Sequence, residues 1–216
     1  MTPPVDQLTA QKFDLQFGTN VLGHLLLIRL LYPLLVSAST PEDHSRVVWV
    51  ASAIQYLFKP PIKFDWITDT ETRRNQDPWK LYGQSKFAIV QLVHALQREF
   101  GDKDGVAFFS LDPGNIKTDL LRHTNRFTRA MVSPSSIALP GIRLTRDLQL
   151  YFVLWPVELG ALTQLYAATE PSAVQYKGGY LRPWARIGEA HQGTKDEVEQ
   201  KKLWDYCHEA LKPWLE

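Results

Sequence analysis

Two apolar patterns at helical spacing and two short β-branched runs organise the chain. Between residues 13 and 35, Phe17, Val21, Leu25, Ile28 and Tyr32 form one stripe and Leu22, Leu26 and Leu30 another. This spacing predicts a helix packed on two sides, entered from a loop with Thr9 as its N-cap. Residues 46 to 51, Arg-Val-Val-Trp-Val-Ala, read as a strand buried on both faces, as strands of parallel sheets are. A second helix from Pro78 to Phe100 has its proline in the first turn and carries Ile89, Val93, Leu96 and Phe100 in one apolar row. After a turn at residues 101 to 105, Val106 to Leu111 read as another buried strand. Strand, helix and strand in this order make a crossover unit with parallel strands. A helix from Val157 to Thr169, a short strand at residues 179 to 181 and a helix from Thr194 to Leu211 follow. The fold class is therefore α/β, a partial Rossmann-like, doubly wound parallel sheet of about three strands with flanking helices, in one domain over residues 1–216.

Composition sharpens this picture by exclusion. The 216 residues are 44% hydrophobic and 22% charged, with a net charge of +1, and no Lys/Arg cluster marks a nucleic-acid partner. The single cysteine, Cys207, excludes an internal disulfide and is compatible with a reducing compartment. The first residues lack the basic start and apolar core of a signal peptide, so the expected location is cytoplasmic. The longest apolar run, Val21 to Val36, reads as too short for a transmembrane helix and carries His24, Arg29 and Pro33.

The candidate chemistry centres on Tyr82-Gly83-Gln84-Ser85-Lys86. Tyr82 and Lys86 stand four residues apart, on one face of a helix. A cation beside a phenol favours the phenolate; moving a phenol from about 10 to near 7 needs roughly 4 kcal/mol. The same pair also suits a helix start at which both side chains snorkel. Placement favours the chemical reading. Ser52 ends the first strand, Asp112-Pro113-Gly114-Asn115 ends the second, and Tyr82 begins the helix between them. Ligands of open parallel sheets bind at that edge. Asn20, inside the first helix, is either a satisfied structural amide or part of this site.

With these residues placed, the chain resembles the short-chain dehydrogenase/reductase family, in particular its retinol-dehydrogenase-like and WW-domain-oxidoreductase-like members of fungal type. The resemblance rests on residues 18–24 (Gly-Thr-Asn-Val-Leu-Gly-His), 48–52 (Val-Trp-Val-Ala-Ser), 82–86 and 112–118 (Asp-Pro-Gly-Asn-Ile-Lys-Thr), in order along nearly the whole chain. It implies an NAD- or NADP-dependent oxidoreductase acting on a small-molecule alcohol or carbonyl compound. Tyr82 would be the acid/base, Lys86 would lower its pKa and hold the nicotinamide ribose, and Ser52 would position the substrate oxygen. Asn20 would support a proton-relay water, while Pro113, Gly114 and Thr118 would shape the turn on the cofactor. The apolar half of the irregular segment 119–155 would favour a hydrophobic substrate. The resemblance also implies a homodimer through helices 13–35 and 78–100.

The family's opening strand, glycine-rich T-G-x-x-x-G-x-G turn and helix, which hold the pyrophosphate, have no counterpart in these 216 residues. The chain thus reads as an N-terminally incomplete, truncated member, and weak cofactor binding is expected of it alone. The alternative reading is a catalytically silent remnant that acts as a binding or oligomerisation module. A serine hydrolase is a poor reading, because Ser52 lacks the G-x-S-x-G elbow. The six histidines are scattered without zinc-like spacing, so no metal site is expected.

Overall fold

The computed structural model describes residues 2–117 and 155–215. Four strands form one sheet in the order β1 (Ser45–Val50), β2 (Val106–Leu111), β3 (Tyr180–Arg182) and β4 (Arg186–Gly188). β1 to β3 are parallel, with Val50 opposite Leu111 and Ser110 opposite Tyr180, and β4 returns antiparallel to β3. The α/β reading holds, with one strand more than the three expected. β4 escapes pattern reading because Arg-Ile-Gly carries a single apolar residue; its pairing is set by a tight turn in which Trp184 and Ala185 adopt left-handed backbone angles of 61° and 57°.

Among the described residues three long helices pack on the sheet, α1 (Leu15–Ala38), α2 (Pro78–Leu96) and α3 (Val157–Thr169), and a fourth, α4 (Glu197–Leu211), packs on α2. Alternation along the strands divides the core. Val106 and Phe108 of β2 and Trp49 of β1 join α1, α2 and α4 on one face, while Ala107, Phe109 and Leu111 join Ala167 of α3 on the other. All six residues of β2 are buried. β1, by contrast, is half-buried along most of its length and pairs on one side alone among the described residues, although side chains pack on both of its faces, Trp49 in one core and Val48 against the other. α2 is the central helix: Ile89, Val93 and Leu96 are buried as its pattern requires.

Three of the boundaries that differ from the sequence reading do so for a local reason. α1 is capped by Asp14, whose carboxylate accepts from the N–H groups of Gln16 and Phe17 at 3.1 and 2.9 Å; Thr9 instead accepts from Phe13 N–H at 3.2 Å. α4 begins later than Thr194, at Glu197, because Asp196 caps it through the N–H groups of Val198 and Glu199. α1 is also longer than its apolar run, since a π-helical turn over Gly18–Gly23 joins Leu15–Phe17 to His24–Ala38. By length and composition these 24 residues are long and apolar enough to cross a membrane, the helix extending beyond the apolar run at both ends. One of its faces, Phe17, Val21, Leu25 and Ile28, is packed in the core.

The connection before α2 is ordered rather than structureless. It contains 3-10 turns at Ala53–Leu57 and Phe64–Trp66 and a helical turn at Glu71–Arg74. Arg73, fully buried, donates to Val5 O at 2.5 Å and faces Asp14 at 3.5 Å. Gln84 of α2 holds the same connection by accepting from Lys63 N–H at 2.8 Å and donating to Lys63 O at 3.1 Å.

Candidate active site

α2 starts where Asp77 accepts from Trp79 N–H at 2.8 Å and Pro78 occupies the first turn. Tyr82 therefore lies one turn inside the helix, beside the C-terminal ends of β1 and β2. Helical spacing brings the Lys86 ammonium to 5.6 Å from the centre of the Tyr82 ring, within reach of cation–π attraction. That ammonium donates to the carbonyl of Val50, the last residue of β1, at 2.8 Å. Trp79 meets the Tyr82 ring edge-on at 6.2 Å.

A short hydrogen-bond chain joins the remaining candidates. Ser52 follows β1, caps the 3-10 turn through Ile54 N–H at 3.3 Å, and hydrogen-bonds the Tyr82 hydroxyl. On the other side, Asn20 donates through Nδ2 to Ser85 Oγ at 3.0 Å, and Ser85 donates to Tyr82 O at 2.8 Å. Asn20 sits in the π-helical turn of α1, a distortion that recurs at functional sites. Its own carbonyl accepts from the Trp49 indole at 3.1 Å, so β1 fixes the turn from below. Asn20, Ser52, Tyr82 and Lys86 are thus brought to one place from three elements.

Pro113 and Gly114 lie at the end of β2, next to this group. Gly114 has φ +83°, a left-handed angle that favours glycine, and an added Cβ would come within 3.2 Å of Pro183. The turn is held between the β3–β4 hairpin and α3, where Ile116 packs against the bare Cα of Gly160. Trp155 and Trp184 meet edge-to-face at 5.0 Å, and Trp155 is bridged to Ile116. Thr118 and nearly all of the segment 119–155 lie outside the described residues.

The electrostatics run against a simple expectation. Burial pushes the Tyr82 phenol up to about 12; the Ser52 hydrogen bond pulls it down and the nearby Asp112 charge pushes it further up. Lys86 is brought down to about 8 by burial, with Asp112 pulling the other way. In the protein alone, then, the phenol is not lowered by its lysine. Burial of a group that must ionise outweighs one neighbouring cation that is itself partly desolvated.

Asp112, Ser85 and Trp49 are the participants that pattern reading missed. The available signal was a charged residue ending a strand with no other charge in it, directly before Pro-Gly. Among the described residues no group of three or more His, Cys, Asp and Glu side chains is placed to hold a metal. Cys207 is fully buried, which pushes its thiol well above the ordinary range.

Comparison with known proteins covers the whole arrangement. A short-chain dehydrogenase/reductase of Armillaria gallica is 37% identical over 214 residues, 99% of this chain and 62% of the relative. One of Emericella nidulans is 31% identical over 222 residues, covering 100% and 64%, and the polyprenol dehydrogenase of Mus musculus is 31% identical over 197 residues, covering 91% and 53%. The chain thus spans about three-fifths of the length of the first of these relatives. No family model matches. Among solved structures, a Mycobacterium paratuberculosis protein superposes with a TM-score of 0.63 at 23% identity, over 98% of this chain and 63% of that one. An NADPH-bound carbonyl reductase from chicken fatty liver gives 0.52 at 16% identity, over 88% and 61%. These two likenesses concern the fold.

Proposed function

The chain belongs to the short-chain dehydrogenase/reductase family, and from that premise we propose that it carries the acid/base part of an NAD(P)-dependent oxidoreductase site for an alcohol or carbonyl substrate. The observation that carries this reading is the linked group Ser52, Tyr82, Ser85 and Asn20 with Lys86 beside it, all at the C-terminal ends of β1 and β2. When bound, the nicotinamide supplies or accepts the hydride. The protein's part is the proton. Tyr82 donates it to the carbonyl oxygen in reduction and takes it from the hydroxyl in oxidation. Ser52, already hydrogen-bonded to the phenol, holds the same oxygen. Asn20 keeps the α1 turn in place beside Tyr82.

The residues fit the nicotinamide-ribose end of such a cofactor. The Lys86 ammonium has three donors and spends one on Val50 O, which leaves donors for ribose hydroxyls. Tyr82, Pro113, Gly114 and Thr118 would complete that end. No G-x-G-x-x-G turn for the pyrophosphate occurs in the 216 residues, and NAD and NADP are both retained as cofactors. Trp79, Trp155 and Trp184 place aromatic surface around the site and its turn, which supports a hydrophobic substrate. The name of the mouse relative, polyprenol dehydrogenase, is consistent with a long apolar alcohol.

The test is turnover at millimolar NADPH and NADH with a panel of apolar and short polar aldehydes and alcohols. Nucleotide-dependent interconversion, faster for the apolar members, is expected; no turnover of any member overturns the proposal. A second reading, a catalytically silent binding or oligomerisation module, draws on one observation. Leu27, Leu30, Leu31 and Leu34 stand 43 to 65% exposed on a single face of α1. Of the two helices a homodimer would use, α1 offers that free apolar face, whereas α2 is largely spent inside the chain. Self-association without turnover is the outcome that favours this module.

A further inference from the structure

Three carboxylate or guanidinium side chains are deeply buried among the described residues: Asp14, Arg73 and Asp112. The first two face each other at 3.5 Å. Asp112 has a different environment. It follows β2 directly, and its N–H is tied to Leu181 O at 2.9 Å. Its Oδ1 accepts from Gly114 N–H at 3.0 Å, and the carboxylate also takes a hydrogen bond from Ala53 N–H. Its Oδ2 is buried without a hydrogen-bond partner among the described residues. A buried carboxylate oxygen left bare costs free energy and calls for an explanation.

The location explains what the carboxylate does. Ala53 adjoins Ser52, so one side chain fastens the Ser52 turn to the Pro113–Gly114 turn. Leu111, the residue before Asp112, pairs with Val50, whose carbonyl holds the Lys86 ammonium. The carboxylate therefore stands at the strand end next to the one on which Lys86 rests. Burial pushes the Asp112 carboxyl above its ordinary value, against the Gly114 and Ala53 N–H groups and the Arg182 and Lys86 charges; once ionised, its field reaches Lys86 and Tyr82 of α2 and Arg182 of β3, and these are the titratable or charged groups that face it.

We propose that Asp112 is a positioning residue for the Tyr82–Lys86 pair: it braces the Ser52 turn, and its negative charge holds Lys86 as the ammonium and Tyr82 as the phenol. A second negative charge beside a buried carboxylate is disfavoured and a positive one favoured. The pair is thereby biased toward its proton-donating form, the form that carbonyl reduction consumes. This last consequence rests on the oxidoreductase reading; the brace and the charge coupling do not.

The experiment titrates the unliganded chain by NMR, following Lys 13Cε and Tyr 13Cζ, with Lys86→Arg and Tyr82→Phe to assign the two signals. Asp112→Asn keeps an oxygen acceptor for Gly114 and Ala53 but removes the charge. It is expected to move the Lys86 titration below its position near 8, and that of Tyr82 below about 12, each by on the order of one pKa unit, with the thermal midpoint little changed. Asp112→Ala removes acceptor and charge together and is expected to lower the midpoint as well. A Lys86 titration in Asp112→Asn that coincides with wild type overturns the proposal, and this signal decides even where strong base unfolds the chain before Tyr82 titrates. Because the readout needs neither cofactor nor turnover, loss of the oxidoreductase reading would show as an inactive wild type with the Asp112 shifts intact.

Discussion

The C-terminal end of α2 and its N-terminal end both bury polar side chains, and they do so to opposite effect. At the C-terminal end Gln97 accepts from Phe108 N–H at 2.8 Å and donates to Asp102 Oδ1 at 3.0 Å. His94 meets Thr194 Oγ1 at 3.3 Å, and Gln200 donates to Thr194 O at 2.7 Å. These groups answer one another and lock α2 to β2 and α4. At the N-terminal end, burial raises the pKa of the Tyr82 phenol and lowers that of the Lys86 ammonium from their ordinary values, and Asp112 keeps an unmatched oxygen. Polar groups that answer one another specify packing, whereas an unmatched carboxylate oxygen beside a phenol and an ammonium marks the other end as the candidate site.

Substitution at the structural end should cost stability. Gln97→Ala leaves the buried Phe108 N–H without its acceptor, and a loss of about 1–3 kcal/mol is expected, read as a lower urea midpoint, with turnover per folded molecule unchanged. A smaller, pH-dependent effect is expected at His94. Burial holds its imidazole below the ordinary value of 6.5, Lys195 and Arg98 add to this, and Gly178 and Glu189 oppose it. As pH falls below about 6.5, the unfolded chain binds the proton first, so stability falls with falling pH in that window. His94→Gln should flatten this part of a plot of urea midpoint against pH; an unchanged slope would show that His94 is not the group responsible.

The same contrast explains what could be read from the sequence. α2, β2 and the crossover were legible because their apolar residues are buried as their spacing requires. Pattern alone could not separate α1 from α2, since it records which residues are apolar and not what covers them; Leu30 and Leu34 are exposed on α1, while Val90 and Leu92 are buried on α2. The cap of α1 was misplaced to Thr9 because both Thr9 and Asp14 are good cap residues, and the choice is made by Arg73 and Ile67 far along the chain. Tyr82, Lys86 and Ser52 were legible together because their spacing puts them on elements that must meet, whereas Asn20, by its residues alone, read equally well as a structural amide and joined the set only through the family resemblance. Asp112 was not legible, since Asp-Pro-Gly reads as an ordinary turn and its burial depends on β3.

The proposed acid/base role of Tyr82 is separable from its part in packing the N-terminal end of α2. Tyr82→Phe keeps the ring and removes only the hydroxyl, so it separates the two roles in one comparison of turnover and stability at saturating NADPH. The expected result is a fall in turnover of about 10²- to 10⁴-fold with a urea midpoint near that of wild type. Turnover within a few-fold of wild type, at any stability, would contradict the account.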